Sequence, residues 1–161
     1  MAVTTDIVAS YRRPRAVMRR LLAMGVNEGR ALAILMAGCG VTFIAQWPRL
    51  AREAHLTGQE LNPLLGGALL GWVVIAPLAF YLIAYLGHLA CRVFGGSGDG
   101  FAARLALFWA WLAASPLLLL YGLVAGFVGK GPGLTLVGAV WLAVFSWFWL
   151  SNLREAGWGA R

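Results

Sequence analysis

Two histidines, two cysteines and six carboxylates are the residues of this 161-residue chain that could do acid–base, metal or nucleophilic chemistry. Their spacing assembles no catalytic set. There is no HExxH pair, no Ser–His–Asp group at a common depth, and no paired acid inside an apolar run. Asp6, Glu28, Glu53, Glu60, Asp99 and Glu155 all fall outside the long apolar stretches. The reading is therefore a protein without catalytic residues, without metal ligands and without a resident cofactor.

His88 is the one exception to the pattern, an ionisable side chain in a run otherwise free of charge. An intramembrane imidazole marks a candidate functional position, as a haem or chlorin ligand or a proton relay. Against this, His88 lies four residues before Arg92, where a neutral imidazole meets headgroups at little cost. His55 falls in the opposite loop, so no axial histidine pair forms. Cys39 lies midway along one apolar run and Cys91 at the end of another, too different in depth for a disulfide. Both read as small buried residues. The loop Gly95-Gly96-Ser97-Gly98-Asp99-Gly100 lacks the Lys-Ser/Thr of a phosphate-binding Walker loop and reads as a flexible hairpin turn.

The elements around these residues follow from composition. The chain is 61% hydrophobic and 12% charged, with a mean hydropathy of +0.77. Soluble domains average about 25% charged residues, so this chain lacks the polar surface to live in water. Thirteen basic residues against six acidic give +7, yet they punctuate apolar runs, which excludes a nucleic-acid footprint and makes them topology signals. Crossing about 30 Å of hydrocarbon takes about 20 apolar residues in a helix. Four runs qualify, 31–48, 64–91, 105–129 and 131–153, with Pro63 opening the second. Backbone groups in lipid must be bonded internally, and β-barrel alternation is absent, so the fold class expected is all-α, a four-helix transmembrane bundle. A short cytoplasmic tail, 154–161, follows it.

With four spans, Arg12, Arg13, Arg15, Arg19, Arg20, Arg30, Arg92, Arg104, Arg154 and Arg161 fall on one side, and Arg49, Arg52 and Lys130 on the other. The rule that basic loops stay inside then predicts a bacterial inner membrane protein with both termini cytoplasmic. No cleavable signal peptide is expected, because the first apolar run begins after thirty residues and lacks a cleavage site. Residues 1–30 form a basic segment in which Pro14 can open an interfacial amphipathic helix. In it, Val17, Leu21 and Met24 share a face for the acyl boundary, while Arg15, Arg19 and Arg20 reach lipid phosphates.

Two glycine pairs one turn apart, Gly67/Gly71 and Gly122/Gly126, predict close helix contacts inside the bundle rather than dimerisation. Pro77 and Pro116 should kink the second and third spans. Trp109, Trp111, Trp141, Trp147, Trp149 and Trp158 load the last two helices with indoles, facing headgroups, lipid tails, partner helices or a pigment.

The leader Ser10-Tyr11-Arg12-Arg13-Pro14-Arg15, the run 19–23, Gln46-Trp47-Pro48-Arg49, residues 103–109 and the ending Trp147-Phe148-Trp149-Leu150 resemble bacterial Yip1-family membrane proteins of the alphaproteobacterial type. The resemblance covers nearly the whole chain. Yip1-type proteins typically have five spans, and a fifth would begin near 153–158, so either this branch has four or the family fold is shortened here. Eukaryotic relatives act with small GTPases in vesicle traffic, but their Asp-Leu-Tyr-Gly-Pro motif does not occur in this chain. The resemblance thus implies a fold and an accessory role without a residue-level site.

Three functions follow in order. The first is a non-catalytic accessory or scaffold protein that associates with another membrane complex or organises lipid around it. The second, from a different class, is an accessory subunit of a respiratory or photosynthetic complex that contacts haem or a chlorin pigment through His88 or the tryptophans. The third is a small transporter, for which no polar midplane site is present. The partners expected are the lipid bilayer and other membrane proteins, with no oligomeric state implied.

Overall fold

The computed structural model describes residues 2–159. Arg161, counted above among the cytoplasmic charges, lies outside them. Every regular element is helical: α1 (Val3–Ser10), α2 (Pro14–Ala23), α3 (Glu28–Thr57), α4 (Leu61–Leu70), a π-helical turn (Gly71–Ile75), α5 (Ala76–Val93), α6 (Gly100–Phe127) and α7 (Pro132–Trp158). Four stretches are long and apolar enough to cross a membrane: α3, the continuous α4–α5 rod from Leu61 to Val93, α6 and α7.

The helix ends have local causes. The Asn27 carboxamide oxygen accepts from the Arg30 amide at 3.0 Å and opens α3. The Asp99 carboxylate does the same for Ala102 at 2.8 Å and opens α6. Pro132 stands in the first turn of α7, and Gly58 closes α3 at φ +69°. These caps shift the expected boundaries. α3 departs most, running nine residues past Pro48. Its last turns leave the apolar layer but carry their own bonds, from Arg49 to Gln46 and from Thr57 to the Glu53 carbonyl. Loss of hydrophobicity does not end a helix whose polar turns bond themselves. Ahead of Pro77 the chain forms a π-helical turn at residues 71–75, which ends two residues before the proline. A widened turn makes room for the carbonyl that the pyrrolidine ring would strike.

α6 is the axis of the bundle. Residues 101–115 are all buried except the half-buried Arg104, enclosed by α3, α5, α7 and the leader. Six alanines in this stretch (Ala102, Ala103, Ala106, Ala110, Ala113 and Ala114) let neighbours approach on every side. Farther along, a Cβ on Gly122 would collide with the Ala45 backbone, and one on Gly126 with Pro48, so this glycine pair seats α3 directly against α6. The other pair differs from expectation. A Cβ on Gly67 or on Gly71 would meet no atom of another helix within 4 Å, so neither glycine is needed for close helix approach within the chain.

The leader also differs from expectation. Residues 14–23 are helical with Val17, Met18 and Leu21 on one face, but that face is buried in protein, at 3%, 0% and 4% exposure. Tyr11 donates to the Ala113 carbonyl at 2.9 Å and sets its ring edge-on to Phe148 at 4.9 Å. Ser10 accepts from the Trp109 indole at 3.0 Å. The apolar stripe is satisfied by α6 and α7, not by acyl chains. Only Met24, 55% exposed, is left outside. α2 shares one hydrophobic core with the spans. Burial of Tyr11 raises its phenol pKa above the usual value.

Candidate functional site

α5 and α7 both pack on α6 but barely touch each other. Between them lies a groove of about 350 Å³, floored by Leu107 and Trp111 of α6. One wall is Trp72, Ala76, Ala79, Phe80 and Ile83, and the other is Phe145 and Trp149. Every lining residue is apolar or aromatic.

Trp111 is the hub. It contacts Trp72 at 5.8 Å, Phe80 at 4.7 Å, and Trp141 and Phe145 each at 5.5 Å between ring centroids. Its indole N–H donates to Thr42 Oγ1 at 3.1 Å, and that hydroxyl donates to the Gly38 carbonyl at 2.7 Å. Gly38 makes the seat, since a Cβ there would lie 2.7 Å from the indole ring. Trp141, Phe145 and Trp149 recur every fourth residue and form one stacked column along α7. That spacing is a legible signal, whereas the Trp111–Thr42–Gly38 link spans two helices and is not. The indole N–H groups of Trp141 and Trp149 are buried with no acceptor among the described residues. Each such donor costs about 1–3 kcal/mol when left unmade.

Of the residues singled out by sequence, Trp111 and Trp149 line this groove, whereas the histidine, the cysteines and the glycine-rich loop lie elsewhere. His88 borders a crevice of about 10 Å³ with Cys91, Asp99 and Leu153, too small to hold more than about one water. That crevice itself does not hold a haem or chlorin. Cys39 and Cys91 are buried free thiols. Gly95 turns the 95–100 loop at φ +81°, and the Ser97 amide donates to the Gly157 carbonyl at 3.0 Å. A Cβ on Gly98 would strike the Ala156 carbonyl, so the expected flexible turn is seated against the end of α7.

Of the three headgroup arginines, Arg19 donates to Glu155 at 2.8 Å and Arg20 pairs with the buried Asp6. Both ion pairs join the leader to itself or to α7. Arg15 instead lines a cleft of about 410 Å³ with Arg154, Glu155 and Trp158. Arg104 pairs with Glu28 across α6 and α3. Comparisons with protein-family models, with curated proteins and with solved structures find no match. Among the described residues, no group of three or more His, Cys, Asp or Glu side chains is placed to hold a metal ion.

Proposed function

We propose that this protein is a non-catalytic accessory or scaffold protein of the membrane that organises lipid by holding an acyl chain between α5 and α7. The observation that carries this reading is the wholly apolar groove over Trp111. Its volume of about 350 Å³ falls in the range of small-molecule sites, about 300–1,000 Å³. The flanking helices are covered least by protein. Of the most apolar 18-residue window, 17% is buried in the α4–α5 rod and 6% in α7. Acyl chains are the apolar ligand such faces meet at highest concentration.

Native mass spectrometry of the protein extracted in mild detergent tests this. Wild type should retain a lipid, and Ala79→Trp, which fills the groove from α5, should lose it with little change in melting temperature. Equal lipid retention by both proteins rejects the groove as the lipid site. The same extraction tests association with another membrane complex, because recovery as a lone monomer at native expression opposes that part. The Yip1-family resemblance belongs to the same proposal and supplies the accessory role.

The aromatic lining favours one second reading, a pigment- or haem-contacting accessory subunit, since Trp72, Phe80, Trp111, Phe145 and Trp149 would offer ring faces to a planar ligand in the groove. A visible absorption band in the purified protein supports it, and a spectrum without one rejects a tightly bound pigment. In either reading, Arg15 and Arg154 are the leader-side arginines proposed to meet anionic headgroups.

The orientation proposed is both termini on the cytoplasmic side of a bacterial inner membrane, from ten basic residues against three. Thr57 is exposed just before the Gly58 turn, and both native cysteines are buried. In intact cells Thr57→Cys should react with a membrane-impermeant thiol reagent. Reaction only in inside-out vesicles reverses the topology.

A further inference from the structure

The end of the bundle remote from the leader holds a cavity of about 790 Å³ between the last turns of α3 and the α6–α7 connection. Arg49, Arg52 and Lys130 all line it. They are the three basic residues that the span count assigns to this side, so its entire positive charge converges on one cleft. One carboxylate, Glu53, shares the cleft and lies 3.5 Å from Arg49.

Arg52 is held in place. Its Nη1 donates to the carbonyls of Gly126 at 3.2 Å and Phe127 at 3.4 Å, capping the end of α6. The guanidinium lies flat against Gly129, where φ is +85° and a Cβ would come within 2.8 Å of Nη2. Capping uses only Nη1, so Nε and Nη2 remain as donors. The Lys130 ammonium has no ion-pair partner among the described residues. α7 begins at the same cleft, with Leu134 in its lining. No side chain caps that helix, so the positive end of a 27-residue helix lies beside the cleft.

Three cations, one carboxylate and an uncapped helix N-terminus in a roomy cleft at the end of the spans make an anion site. We propose that this cleft binds a phosphate group, with Arg52 and Lys130 as its principal contacts and Arg49 as the third. Topology signalling requires the charges to lie on this side, but not to share a cavity with a helix N-terminus. Phosphate fits because its several oxygens can take a guanidinium, an ammonium and backbone amides together. The phosphate could belong to a lipid headgroup or to a soluble phosphate ester.

Binding to the full-length protein in neutral detergent distinguishes these sources. The probes are short-chain phosphatidylglycerol, the phosphate-free diacylglycerol with the same chains, and glycerol phosphate. Phosphatidylglycerol should bind more tightly than diacylglycerol, and Lys130→Gln should weaken it about fivefold, equivalent to about 1 kcal/mol per cation. Lys130 is exposed, so the variant keeps its fold. Arg92→Gln, with the same charge change at the opposite end, should alter binding less than twofold. Glycerol phosphate binding as tightly as the lipid, with the same dependence on Lys130, supports the site and identifies a soluble ligand. Equal affinity for the lipids with and without phosphate overturns the proposal. So does an equal loss in Lys130→Gln and Arg92→Gln, which would mean that binding follows net charge alone.

Discussion

α6 and α7 are nearly equal in length and their most apolar 18-residue windows share a mean hydropathy of 1.8, yet 61% of that window is buried in α6 and only 6% in α7. In water such a difference would be written in hydrophobicity. In a membrane it is not, because lipid is as apolar as a protein core and gives no reward for hiding leucine. What separates the two helices is side-chain size. α6 carries alanines on every face of residues 101–115, then Gly122 and Gly126 toward α3. α7 turns Leu136, Val140, Leu142 and Leu150 outward and reserves its aromatic column for α6. Close approach decides burial here.

The glycine contacts should therefore give the largest effect. Gly122→Leu places a branched side chain where even a Cβ collides with the Ala45 backbone. Neither helix can yield without moving, so a loss of about 3 kcal/mol is expected, at the upper end of overpacking costs. Gly126→Leu should behave alike against Pro48. Thermal unfolding in detergent reads both, and a melting temperature within error of wild type for either would show that α3 and α6 are not in contact there.

Next comes the alanine lining. Ala110 has no exposed surface, so Ala110→Leu should cost about 1–3 kcal/mol. Leu142→Ala, on the outward face of α7 at 56% exposure, should cost close to nothing. Equal costs for the two would remove size as the distinguishing variable.

Much of this architecture is legible in the chain, and the limits have physical causes. The number of spans follows from uncharged length. The boundaries do not, because Asn27, Asp99 and the self-bonding turns after Pro48 extend helices beyond the apolar layer. The leader's stripe of Val17 and Leu21 has the same spacing whether lipid or protein covers it. The signal that could have decided is electrostatic. Asp6 of α1 and Glu155 of α7 each take an arginine of α2. For the candidate groove, the column at 141, 145 and 149 is readable as a periodicity, but the space beside it exists only because α5 and α7 diverge. Gly67/Gly71 and Gly122/Gly126 have identical spacing and opposite surroundings. A motif alone does not say which face has a neighbour.

The leader provides a smaller effect of the same kind. Tyr11→Phe removes the hydrogen bond to the Ala113 carbonyl and should cost about 1 kcal/mol. The same residue has a pH signature. Burial favours the neutral phenol and raises its folded-state pKa, so its contribution is fully present below the unfolded value of about 10. It fades as pH rises through the folded value. The difference in phenolate absorbance between wild type and Tyr11→Phe isolates this group. A midpoint at or below the ordinary tyrosine value would place Tyr11 in water and detach the leader from α6.

The smallest effect belongs to Gly71, and it is the sharpest contrast with Gly122. Its backbone is ordinary right-handed helix at φ −61° and ψ −49°, so an L side chain fits without strain. Beyond its own helical turn, no atom of the chain lies within 4 Å of the added Cβ, so no packed neighbour stands at that position. Glycine in a helix interior costs about 0.8–1.0 kcal/mol relative to alanine, and leucine is nearly as good a helix former. Gly71→Leu should therefore leave the melting temperature unchanged or raise it slightly, while the same replacement at Gly122 lowers it sharply. A large loss at Gly71 would mean that something outside this chain packs there. In that case Gly122→Leu should act equally in dilute and concentrated protein, whereas the Gly71→Leu defect should change the size of the particle in detergent.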